Sequence, residues 1–147
     1  MKRIALFPGS FDPFTKGHKN IVERTLQSLA DEVIIAVGKN AEKKGAQTVE
    51  QRIETIQKIF EGEGRVRVVA YEGLTIDFAK SVNADFIVRG VRNVKDFEYE
   101  REIADVNRQL SGIESVLLYT QPEYASISSS IVRELMSYGK DVSEFLP

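Results

Sequence analysis

The sequence predicts a doubly wound α/β fold, a five-stranded parallel sheet with helices on both faces, on three observations. Short apolar runs alternate with helical stripes five times along the chain. The runs are apolar on both faces, which suits buried parallel strands better than a half-solvated antiparallel sheet. The 147 residues fit a single domain over 1–147, with no repeat, low-complexity segment or linker to divide them.

Residues 2–7 (KRIALF) read as the first strand, followed by a turn-rich loop over 8–15. Val22, Leu26 and Leu29 then stand at i, i+4 and i+7, one face of a helix. Residues 33–37 (VIIAV) form the second strand, and 38–47 a polar loop carrying Lys39, Lys43 and Lys44. Thr48 and Gln51 make a capping-box pair, and Val49, Ile53, Ile56 and Phe60 a helical stripe behind it. The third strand spans 66–70, a short helix 75–81 and the fourth strand 86–89. A helix over 96–110 places Tyr99, Ile103, Val106 and Leu110 on one face; 115–119 is the fifth strand and 128–138 the fifth helix. No stripe by itself demands a partner.

Composition removes several classes of function. Lys and Arg total 20 against 22 Asp and Glu, a net charge of −2, which argues against a general nucleic-acid binder. A small anionic ligand, by contrast, needs only a local cluster of positive charge. With no Cys there are no disulfides, thiolate nucleophiles or Cys-based metal sites. The single His excludes a Ser/His relay unless His18 is its base. No apolar run approaches the ~18 residues of a membrane span, and the chain opens on a strand and not on a signal peptide. A soluble, cytoplasmic protein is expected.

Ligands of open parallel sheets bind beyond the carboxyl ends of the strands, so the loops after each strand are where chemistry is expected. The first reads GSFDPFTKGH from Gly9 to His18. Gly9 allows a sharp turn and close approach of an anion. Asp12-Pro13 suggests a turn, Thr15 can cap the next helix, and Gly17 leaves space beside the backbone. His18 falls in the first helical turn, where free N–H groups and the dipole favour an anion. Alternatively, it is an ordinary buried imidazole. Lys43 and Lys44 are either phosphate ligands or solvated loop charges. Arg89 and Arg92 put two guanidiniums at the rim, for bidentate phosphate recognition or for ion pairs with Asp96, Glu98 or Glu100. Ser128, Ser129 and Ser130 open the fifth helix; one must cap it, and three exceed that need. Neither a dinucleotide-binding G-x-G-x-x-G nor a P-loop follows a strand, and no His or carboxylate cluster has metal-ligand spacing.

GSFDPFTKGH at the first strand–helix turn and Ile127-Ser128-Ser129-Ser130 at the fifth resemble the nucleotidylyltransferase superfamily with T/H-x-G-H and I-S-S-S/T motifs. TKGH, the stretch RGVRNVKDFEYE from Arg89 to Glu100, and Asn107-Arg108 resemble its bacterial phosphopantetheine adenylyltransferase family over practically the whole chain. The resemblance implies a Rossmann-like sheet and reversible transfer of the adenylyl group of ATP to 4′-phosphopantetheine, without a covalent intermediate. It implies that His18 and Lys43 act on the transition state. Ser10, Lys43, Leu74, Thr75 and Arg89 would bind the acceptor. Ser10, Phe11, His18, Gly90, Val91, Arg92 and Glu100 would bind the nucleotide, with Tyr124, Ala125, Ser126, Ile127, Ser128, Ser129 and Ser130. It also implies Mg²⁺ arriving with the ATP phosphates, a homohexamer, and coenzyme A as a feedback ligand. Ser10 stands where many members have Thr and Tyr124 where some have Trp, and the chain lacks the terminal helix of many relatives. The alternatives are a sister transferase acting on nicotinate mononucleotide or using CTP, a nucleotide or coenzyme A sensor, and a flavodoxin-like interaction module.

Overall fold

The computed structural model describes residues 1–39 and 47–147. Five strands, β1 (Ile4–Gly9), β2 (Glu32–Gly38), β3 (Val66–Tyr71), β4 (Phe86–Val91) and β5 (Glu114–Tyr119), alternate with five helices. These are α1 (Lys16–Ser28), α2 (Val49–Ile59), α3 (Thr75–Ser81), α4 (Val94–Ser111) and α5 (Ser129–Ser137). All pairings are parallel, in the order β3-β2-β1-β4-β5. The chain builds outward from β1 through β2 to β3, then returns to β4 on the other side of β1. The strand order therefore reverses between β1 and β4, and the loops leaving those two strands diverge to open a crevice.

One side of the sheet buries Ala5, Phe7, Val33, Ile35, Val37, Phe86 and Val88 against Ile21 and Val22 of α1 and Ile56 of α2. The other buries Leu6, Ile34, Ala36 and Ile87 against Ile76 and Ala79 of α3. Only the three central strands are apolar on both faces. β3 exposes Arg67 and β5 exposes both of its ends, because an edge strand has solvent on its outer side.

Every strand exceeds its predicted range at one end or both; β1, which starts at Ile4 and not at residue 2, and β4 each run two residues further at the C-terminal end. β1 continues through Pro8 and Gly9, whose positions pair with Ala36 and Val37 of β2. β4 continues through Gly90 and Val91. Proline and glycine read as strand breakers, yet Gly90 is there for packing: a Cβ would lie 3.2 Å from the Ile21 side chain, so glycine lets α1 lie against β4.

The stripe on α4 is a true helix face, but this chain does not cover it. Tyr99 is 62%, Ile103 39%, Val106 52% and Leu110 64% exposed. A run of exposed apolar residues along one helix face is the kind of surface that contacts other molecules.

Candidate active site

The TKGH turn is a capping box with a histidine in it. The Thr15 hydroxyl accepts the His18 backbone N–H at 3.4 Å, and His18 Nδ1 accepts the Thr15 backbone N–H at 2.9 Å. The imidazole fills the place usually taken by Glu or Gln. Because Nδ1 is the acceptor, the ring proton belongs on Nε2, the one nitrogen not spent on the cap. Phe7, Phe11 and Phe14 surround the ring, with centroids 6.2, 5.0 and 5.2 Å away.

Burial above all, helped by the charges of Arg89 and Arg92, lowers the His18 pKa to about 3. At neutral pH the imidazole is therefore an uncharged N–H donor. As pH falls through about 6.5 the unfolded chain takes up a proton that the folded chain refuses until about pH 3. The stability His18 contributes is present above pH 6.5 and is lost progressively between those values. With one His in the chain, NMR reads this directly: the ring signals are expected to stay flat from about pH 8 down to about pH 5. A midpoint near 6.5 would overturn the assignment.

The turn before the box is built by close packing. A Cβ on Gly9 would lie 2.9 Å from the Phe11 ring, so only glycine lets that ring fold back over the strand end. Phe11 itself has φ 49, in the left-handed region. Beneath it Arg52 of α2, a buried residue, donates to the carbonyls of Ser10 and Thr48. The Thr48–Gln51 capping box expected from the sequence is formed, at 3.1 and 2.9 Å, and fixes the start of that helix.

Both rim arginines carry an ion pair. Arg89 meets Glu100 in a two-pronged contact, Nε to Oε1 at 2.9 Å and Nη2 to Oε2 at 2.8 Å, and also donates to the Pro8 carbonyl. Arg92 pairs with Asp96 at 3.0 Å. The guanidiniums are thus held at the rim by α4, whose N-cap Asn93 accepts from the Asp96 N–H at 2.8 Å. The three serines divide their work. Ser128 caps α5 by accepting the Ile131 N–H, Ser129 ties the helix to the Pro13 carbonyl at 2.8 Å, and Ser130 accepts from Arg133. Arg133 also donates to the Asp12 carbonyl at 2.7 Å and has no ion pair among the described residues.

These parts enclose two clefts. The larger, about 400 Å³, brings together Ser10, Phe11, His18, Arg89, Gly90, Arg92, Glu100, Tyr124, Ile127 and Ser128–Ser130, with Arg133 added. The smaller, about 180 Å³, runs between α3 and α4 and includes Tyr71, Thr75, Ile103 and Asn107. Gly9, Arg89 and Glu100 line both, so the two clefts meet at the Arg89–Glu100 pair. Leu74, Val91, Ala125 and Ser126 line neither; Leu74 is exposed and Val91 is buried in the strand. Lys43 and Lys44 lie outside the described residues.

Sequence reasoning passed over Arg52 and Arg133; for Arg133 a signal existed, three residues after Ser130 on the same first turn. Among the described residues no group of three His, Asp or Glu could hold a metal ion, and no helix is long and apolar enough to cross a membrane.

A model of the cytidylyltransferase-like family matches residues 6–135. A phosphopantetheine adenylyltransferase of Bacteroides fragilis is 55% identical over 99% of this chain and 96% of its own. Another, of Phocaeicola vulgatus, is 57% identical over 99% and 95%. Among solved structures, a bifunctional NMN adenylyltransferase/ADP ribose pyrophosphatase of Francisella tularensis superposes with a TM-score of 0.73 at 18% identity. It covers 99% of this chain and 44% of that one, and shows the shared fold. With its reversal point, its T-x-G-H cap and relatives this similar over their full length, the chain belongs to the cytidylyltransferase-like family and, within it, to the phosphopantetheine adenylyltransferases.

Proposed function

We propose that the protein transfers the adenylyl group of ATP to 4′-phosphopantetheine, reversibly, giving dephospho-coenzyme A and pyrophosphate. The observation that carries this is the meeting of two clefts at Arg89 and Glu100. The larger is lined by cations, hydroxyls and the start of a helix, the donors a nucleotide's phosphates need. The smaller is walled by Pro8, Ile87, Ile103 and Ala104 and suits an elongated, largely apolar arm.

An acceptor phosphate lying at the junction is already an anionic nucleophile. Its oxygen attacks the α-phosphorus, that P–O bond forms, and the bond to the pyrophosphate oxygen breaks; no residue has to take a proton. Catalysis is then alignment plus charge stabilisation. His18 donates Nε2–H to an equatorial oxygen of the α-phosphate, and Lys43 adds positive charge. Arg89 holds the acceptor phosphate, while Arg92, Arg133 and the Ser128–Ser130 helix start hold the leaving phosphates. Ser10 sits between the two substrates, Thr75 along the arm. The lining groups fit phosphate oxygens and not a metal ion, so Mg²⁺ would be held by the ATP phosphates, where it offsets their charge.

The exposed face of α4 supports assembly with further copies of the chain, a homohexamer by resemblance to the family. Coenzyme A shares the product's arm and would compete for the smaller cleft, and a cytoplasmic setting fits the use of ATP. The test is pyrophosphate release from ATP and Mg²⁺ with 4′-phosphopantetheine, beside nicotinate mononucleotide and beside CTP with glycerol 3-phosphate. Release with phosphopantetheine alone is expected. Release only with another acceptor would overturn the substrate, and silence with ATP still bound would favour a sensor.

A further inference from the structure

Tyr71 closes β3 at the wall of the smaller cleft. Its ring stacks on Phe78 at 5.2 Å and 26°, and Gly38 lies at its edge, where even an added Cβ would make an ordinary 3.6 Å contact. That packing accounts for an aromatic ring, which phenylalanine would supply equally well. It does not account for the hydroxyl, which lies 2.9 Å from the Thr75 hydroxyl, a residue that also lines the cleft. Nor is that pair needed to start α3, whose N-cap Leu74 makes no side-chain bond.

Between them the hydroxyls carry two protons, and their mutual bond uses one whichever oxygen donates. One O–H and several lone pairs remain for a ligand. The cleft therefore offers the Arg89–Glu100 pair, apolar walls, and neutral polar groups at Asn107, Ser115 and the Tyr71–Thr75 pair. A charged ligand group belongs beside Arg89, and an uncharged polar group beside the Tyr71–Thr75 hydroxyls.

We infer that Tyr71 is a specificity-determining residue whose hydroxyl, paired with Thr75, hydrogen-bonds an amide of the acceptor's arm. This rests on the proposed function, in which the arm occupies the smaller cleft. Because Phe78 stacks on the ring and Thr75 bonds its hydroxyl, that hydroxyl is preorganised and costs the complex little ordering.

The experiment compares wild type, Tyr71→Phe, Thr75→Val and the double variant in the adenylylation of phosphopantetheine, reading the acceptor KM, the ATP KM and the melting temperature. Each single variant is expected to raise the acceptor KM by about three- to tenfold, the range of one neutral hydrogen bond. The double variant should do little more than either alone, since the pair acts as a unit. The ATP KM and the melting temperature of Tyr71→Phe should stay at wild-type values, because the stacked ring is kept. An unchanged acceptor KM in Tyr71→Phe would overturn the inference while leaving the activity standing. A parallel rise in both KM values would overturn it in favour of a structural role. A wild type inactive with phosphopantetheine would bring down the proposed function and this inference together.

Discussion

His18→Ala is expected to lower kcat by about 10²–10³-fold, the scale of losing one preorganised donor to a developing oxyanion, while the Kd for ATP changes far less. The donor is neutral, fixed in tautomer by Thr15 and packed among three phenylalanines, so it needs no reorganisation at the moment of reaction. Alanine also removes the reciprocal half of the capping box, at about 0.5–1.5 kcal/mol for one hydrogen bond. His18→Gln separates the two effects, because glutamine at this position can still accept the Thr15 N–H. That variant should melt close to wild type and turn over as slowly as His18→Ala. If His18→Gln works at normal speed, the imidazole is a cap and nothing more.

Arg89→Met is expected to cost both stability and turnover. It leaves Glu100, whose side chain is 9% exposed, without the guanidinium that satisfies both of its oxygens. Orphaning one partner of a buried pair costs about 3–5 kcal/mol, and the one-third exposure of Arg89 puts this case near the lower end. The companion Arg89→Met/Glu100→Leu removes both charges and should recover most of the stability in urea melts. Pyrophosphate release should stay lost in both, since the cation for the acceptor phosphate is gone. A double variant that turns over would show that Arg89 serves the fold alone.

What the sequence makes legible is what depends on short-range period and type. The five alternations and the Thr48–Gln51 box follow from spacing within one turn or one strand. The Thr15–His18 box escaped because the usual signature has Glu or Gln, and an imidazole nitrogen can accept the same N–H. Arg89 and Arg92 were legible as rim cations, but three carboxylates compete for them. The choice of Glu100 for Arg89 depends on how α4 crosses β4, which no spacing states. Nothing in the local pattern marks Arg52, and what turns both Arg52 and Arg133 inward is tertiary contact with the first loop. For α4 the period identifies an apolar face but not whose surface it meets.

The commitment of His18 Nδ1 to the Thr15 N–H suits a site that works in both directions. A group that neither charges nor discharges near neutrality leaves the proton inventory of the site the same on both sides of the exchange. One phosphoanhydride is traded for another of similar kind. The same neutral imidazole then serves synthesis and pyrophosphorolysis, and net flux, as with any catalyst, follows mass action.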